Sequence, residues 1–103
     1  MRTPVTWSPK ARLELADIWN YVKQDSGANA LQILHDIAAA VDRLEEYPFS
    51  GRMVPEWKQP ILRELIVGNY RVMHSIEPEE IIVFTVRHSR RRLPRRFRRE
   101  WLR

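Results

Sequence analysis

The chain contains no cysteine. That excludes disulfide staples, thiolate metal sites and cysteine nucleophiles, and it is compatible with a reducing cytosol. Long apolar runs are also missing. None approaches the roughly 18 residues of a membrane span, and the opening MRTPVTWSPK carries no signal-peptide core. A cytoplasmic location is therefore expected, with no membrane partner. No internal repeat is visible. With 103 residues, 44% of them hydrophobic, the chain is expected to form one domain over residues 1–103. That length suffices for a two-layer core without disulfides or structural metal.

Acidic residues are scarce at the carboxyl-terminal end. Arg87 to Arg103 holds nine arginines against Glu100 alone, a sum of +8, whereas Met1 to Val86 holds 9 basic and 12 acidic residues, a sum of −3. The basic segment 88–103 favours phosphate-rich or acidic partners through contacts that weaken as salt rises. The plainer reading is a solvated tail that keeps the protein soluble.

What is present is a run of strands. Ile61 to Val67, Tyr70 to Ile76 and Ile81 to Arg87 are rich in Val, Ile, Phe and Tyr and are bounded by Gly68-Asn69 and by Glu77 to Glu80. This is the pattern of an antiparallel three-stranded meander. Gly68-Asn69 suits a two-residue turn with positive φ, and Pro78 lies where no ladder N–H is required. Those loop lengths set Val67 opposite Tyr70, Arg71 opposite Val86 and Ile76 opposite Ile81. Arg71, Met73, Phe84, Val86 and His88 then share one face, and Arg63, Tyr70, His74 and Arg87 the other. A register one residue different would regroup them.

Before the meander, Val5 to Trp7 reads as a short strand. Ser8 can cap a helix and Pro9 fits its first position. The helix is predicted to run to about Lys23, with Ala11, Leu15, Ile18, Trp19 and Val22 as its buried stripe. After Asp25-Ser26-Gly27, a second helix is predicted from about Asn29 to Tyr47, with Ala30, Leu34, Ile37, Val41 and Leu44 facing the core. So short a link predicts an antiparallel helical hairpin. Pro48 ends the second helix. Pro48 to Pro60 has no periodicity and reads as a loop. Beyond Pro94 the chain forms either a short basic helix, with Phe97, Trp101 and Leu102 able to dock, or a frayed end.

The segments WSPKARLELADIWNYV, YPFSGRMVPE, LRELIVGNYRVMHSI and IIVFTVRHSRR, in this order and spacing, resemble the RelE/ParE superfamily of bacterial toxins from type II toxin-antitoxin pairs. The resemblance covers about Val5 to Leu93. It implies an α+β toxin with an N-terminal strand and a two-helix hairpin packed on an antiparallel sheet. It also implies a cognate antitoxin, expected to be acidic, and a toxin-antitoxin hetero-oligomer. RelE-like members cleave messenger RNA, commonly on the ribosome, whereas ParE-like members are thought to inhibit DNA gyrase by binding. Fold alone does not choose between these.

Metal-independent RNA cleavage needs a base for the 2′-hydroxyl, cations for the phosphate and an acid for the leaving oxygen. Arg71, in NYRV, resembles the phosphate-binding arginine of the nuclease branch. Glu56, in VPEW, resembles its base, and His88 lies near the position of its acid, with an ordinary pKa of about 6.5 that suits proton transfer. Arg63, Arg87, Arg90 and Arg91 are candidates for binding phosphates. Each has a plainer alternative: surface arginines for these and for Arg71, a loop carboxylate for Glu56, a hydrogen-bonded strand-end histidine for His88. No metal and no cofactor are expected. The presence of Glu56, Arg71 and His88 tips the reading toward mRNA cleavage, with gyrase inhibition next. Against it, the first meander strand offers Leu62, Arg63 and Glu64 where ribosome-dependent members often carry lysines, and Phe97 stands where many carry a tyrosine. A third reading is a nonenzymatic nucleic-acid module binding through Arg90 to Arg99. Trp7, Trp19, Trp57 and Trp101 are scattered in sequence and suggest no stacking platform for it.

Overall fold

The computed structural model describes residues 2–103. In chain order the elements are β1 (Val5–Trp7), α1 (Pro9–Val22), α2 (Gly27–Asp42), β2 (Arg52–Met53), β3 (Leu62–Val67), β4 (Tyr70–Ile76) and β5 (Ile81–His88). Short 3-10 turns follow α2 at Arg43–Glu45 and close the chain at Arg99–Leu102.

Both helices start where a serine can satisfy their free N–H groups. Ser8 accepts from the Ala11 N–H at 3.1 Å with Pro9 following, and Ser26 accepts from the Asn29 N–H at 3.1 Å. The second cap moves the start of α2 forward to Gly27. At its other end the predicted helix to Tyr47 stops short: α2 ends at Asp42 and the next residues tighten into the 3-10 turn before Pro48.

The apolar stripes of the helices meet one face of the sheet. Ala11, Ile37, Val41 and Leu44 pack against Val72, Ile81, Val83 and Val86. Burying each of the Val, Ile and Leu side chains among them contributes about 1.5–3 kcal/mol. The opposite face is covered as well, by a second cluster. Val54, Trp57, Leu62, Met73 and Phe84 are packed there by Leu93, Phe97, Trp101 and Leu102. The C-terminal segment is therefore a strap across the sheet, and the two expected layers gain a partial third.

The sheet has five strands in the order β1-β5-β4-β3-β2. β1 pairs with β5 in parallel, Val5 beside Ile81 and Trp7 beside Val83. β2 lies inside the proline-rich stretch predicted to be loop, and it pairs with β3. Gly51 permits this, because a Cβ at that position would stand 2.4 Å from the Glu64 carbonyl oxygen. Between β3 and β4, Gly68 takes a φ of +58° in the two-residue turn.

The meander register agrees with expectation at both turns, with Val67 opposite Tyr70 and Ile76 opposite Ile81. Between them it slips. His74 pairs with Val83 but Met73 pairs with Thr85, so Phe84 bulges out of the ladder and Arg71 lies opposite Arg87 rather than Val86. One inserted residue reverses every side chain beyond it. The expected grouping is corrected accordingly: Arg87 shares the side of Arg71, and Val86 and His88 turn to the helix side with Tyr70.

Candidate functional site

On the strap side of the sheet, four charged side chains from four segments form one chain of ion pairs. Arg71 on β4 is buried. Its Nε donates to Glu64 Oε1 at 2.6 Å, and Nη1 and Nη2 donate to the two Glu56 oxygens at 2.7 and 2.8 Å. The second Glu64 oxygen accepts from Arg52 Nε at 2.5 Å. Glu56 comes from the Val54–Lys58 turn, closed by the Lys58 N–H donating to the Val54 carbonyl at 3.0 Å. The fork-to-fork pairing with Arg71 holds the Glu56 carboxyl below the usual carboxylate range, against a smaller upward push from burial. Arg71 is raised in turn, chiefly by its bonds to Glu56. Chemically, Arg71 is a permanent cation already neutralised by two acids, and Glu56 is a weakened base.

Glu64 and Arg52 were not candidates from sequence. The signal for Glu64 was there: in Leu62, Glu64, Ile66 a carboxylate occupies an alternating position of an otherwise apolar strand face, and such a group needs a partner.

A second locus lies between α1 and the ends of β4 and β5. An open recess of about 350 Å³ is lined by Glu14, Asp17, Tyr21, Tyr70, Arg87, His88 and Arg91. The His88 ring meets Tyr70 edge-on at 5.6 Å, and its Nδ1 accepts from the Arg90 N–H at 3.1 Å. That bond assigns the ring proton of the neutral form to Nε2. Arg87 donates from Nη1 to the Arg92 carbonyl at 2.9 Å, its Nη2 is 4.0 Å from Glu14, and its Nε has no partner. Burial lowers the Arg87 pKa, with Glu14 pulling the other way. Glu14 also accepts from the Thr85 hydroxyl at 2.7 Å and the Val86 N–H at 3.2 Å, closing the edge of β5 beyond the end of β1.

The sequence candidates thus separate. Glu56 and Arg71 are paired to each other, whereas His88, Arg87 and Arg91 surround the recess on α1. Arg90 is exposed just after β5. Arg63 belongs to neither group: its Nε donates to the Pro60 carbonyl at 2.8 Å and its guanidinium lies 5.2 Å above the Phe49 ring. Among the described residues, no group of three or more His, Asp or Glu side chains is placed to hold a metal.

Comparison with known families decides the class. The family model described as the ParE toxin of the type II toxin-antitoxin system, parDE, matches residues 5–93. The chain belongs to the ParE toxin family. This ParE-family toxin is 28% identical over 96 residues to Y4kP, a candidate toxin of Sinorhizobium fredii (strain NBRC 101917 / NGR234), a match covering 90% of this chain and 95% of that one. Its fold is similar to that of a chain in the solved chromosomal ParDE toxin-antitoxin system of P. aeruginosa, with a TM-score of 0.69 and 22% identity, covering 84% of this chain and 96% of that one. The RelE/ParE superfamily expected from the sequence is therefore the right one, and membership implies an antitoxin partner. No helix among the described residues is long and apolar enough to cross a membrane.

Proposed function

We propose that this ParE-family toxin arrests growth by binding a macromolecular target stoichiometrically, and that the target is DNA gyrase, as the ParE-like branch of the superfamily implies. It acts in the cytoplasm, uses no cofactor or metal, and is neutralised by an acidic antitoxin in a hetero-oligomer. One observation carries this reading: all three guanidinium nitrogens of Arg71 already donate to carboxylates. The competing reading is ribosome-associated mRNA cleavage, with Glu56 as base, Arg71 on the phosphate and His88 as acid. It requires Glu56 to release Arg71, and it requires His88 to act from the other face of the sheet. It also requires Arg63, Arg87, Arg90 and Arg91, which lie at three places, to track one RNA strand.

The test is a parallel assay of purified toxin on gyrase supercoiling and on mRNA in translating ribosomes. The expected result is inhibition of supercoiling at toxin concentrations comparable to gyrase, with the message intact. Catalytic cleavage of mRNA by substoichiometric toxin, lost in His88→Ala, would reverse the assignment.

A further inference from the structure

The strap of residues 93–102 sorts its side chains by chemistry. Leu93, Phe97, Trp101 and Leu102 turn inward onto Trp57 and Phe84. The Trp57 and Phe97 rings lie 5.5 Å apart, Phe84 and Phe97 5.1 Å, and Trp57 Nε1 donates to the Pro94 carbonyl at 3.0 Å. Arg99 is tied to Glu77. What the strap turns outward is mostly arginine, Arg95, Arg96 and Arg98 beside Pro94 and Glu100, and Arg90 and Arg92 are exposed just before it. Among the described residues, the side chains of Arg90, Arg92, Arg95 and Arg96 have no ion-pair or hydrogen-bond partner, and Arg98 has only exposed Glu100 at 3.9 Å. Arg95, Arg96 and Arg98 border an open recess of about 430 Å³ with Pro94. The strap is not a loose charged tail, because its aromatic anchors fix the backbone that carries these guanidinium groups.

We propose that this outward face binds the phosphate backbone of double-stranded DNA, independently of sequence. Phosphate and an acidic peptide both attract arginine, and the surroundings distinguish them. Protein partners take their affinity from a buried apolar centre, and the strap has turned Leu93, Phe97, Trp101 and Leu102 inward. Nucleic-acid interfaces are polar and strongly positive, which describes what is left. Single strands are held by stacking bases on exposed aromatic rings; here Phe97 and Trp101 are spent on the core cluster. The arginine fork suits bidentate phosphate contacts. The family match ends at residue 93, so Arg95, Arg96 and Arg98 lie beyond it. The proposal does not rest on the gyrase reading.

The experiment uses the purified full chain, without gyrase, and a fluorescent DNA duplex of about two helical turns and arbitrary sequence, titrated over a salt series. Wild type should bind with log affinity falling linearly in log salt. The triple variant Arg95→Ala, Arg96→Ala, Arg98→Ala should bind at least about tenfold more weakly and lose about three units of salt slope, near one per phosphate contact. The corresponding lysine triple should keep the slope, and all variants should share the wild-type circular dichroism and melting temperature. A control with the same loss of charge elsewhere, Arg12→Ala, Lys23→Ala, Arg43→Ala, should change the slope far less. An unchanged slope in the alanine triple, or an equal loss in the control, overturns the proposal. So does tighter binding of a poly-glutamate peptide of matched charge, or of a single strand of matched length.

Discussion

The Arg71 guanidinium meets the Glu64 carboxylate at 2.6 Å with side chains 8% and 0% exposed. Water is largely shut out there, so each charge depends on its partners: Glu64 on Arg71 and Arg52, and Arg71 on Glu64 and Glu56. The pair joins β4 to β3, and through Arg52 to the short β2. We expect Arg71→Met to lower unfolding free energy by about 1–3 kcal/mol, because the buried Glu64 carboxylate keeps Arg52 but loses its bond to Arg71. The double variant Arg71→Met, Glu64→Leu should be less damaged than the single one. Glu56→Gln, at the more exposed end, should cost about 1 kcal/mol or less. Urea denaturation measures all three, and a double variant weaker than the single would contradict the mutual dependence.

His74 is fully buried, donates from Nε2 to the Pro48 carbonyl at 3.1 Å in its neutral form and leaves Nδ1 without a partner. Burial lowers its pKa from 6.5 to about 4. Between those values the unfolded chain takes up a proton that the folded chain refuses. Stability is therefore full above about pH 6.5 and declines toward pH 4, by roughly 3 kcal/mol in all. Glu56, whose pKa is also lowered, adds a loss at still more acid pH, as the carboxylate held by Arg71 is protonated. Denaturation midpoints measured from pH 7.5 to 4.5 should fall in wild type and flatten in His74→Gln. A flat wild-type profile would contradict this account.

Gly51→Ala should damage the β2 end of the sheet although Gly51 makes no special turn. Its Cβ would have to sit 2.4 Å from the Glu64 carbonyl oxygen, a backbone atom that cannot step aside. The expected cost is about 1–3 kcal/mol. Hydrogen exchange should show it locally, as lost protection of the Val54 N–H, which donates to the Leu62 carbonyl at 3.0 Å.

Glu14→Ala removes the acceptor of both the Thr85 hydroxyl and the Val86 N–H. Leaving those donors unpaired should cost about 1–3 kcal/mol, whereas Glu14→Gln, which keeps an acceptor, should cost less. Thermal melting distinguishes them. Equal losses in the two variants would place the contribution of Glu14 in its charge.

Much of the fold was legible because local rules governed it. The Ser8 cap announced the first helix, apolar stripes at helical spacing announced both, and β-branched runs between turn residues announced the meander; the Ser26 cap of the second helix was not read. β2 escaped because a two-residue strand has no periodicity to read. The bulge at Phe84 escaped because turn lengths fix register only until a residue is inserted. That single insertion removed His88 from the side of Arg71, so the apparent base, cation and acid could not be assembled by counting along strands.

The sequence by itself determined the helices, the meander, the superfamily resemblance and the concentration of positive charge beyond residue 86, since each follows from residue types at short separations. Only the tertiary structure decided which charges are available. Arg71 and Arg95 are the same residue type, yet the first lies between Glu56 and Glu64 and the second faces solvent on a strap anchored by Phe97 and Trp101. The physical reason is that availability depends on burial and on partners brought together across the chain, which no local pattern encodes.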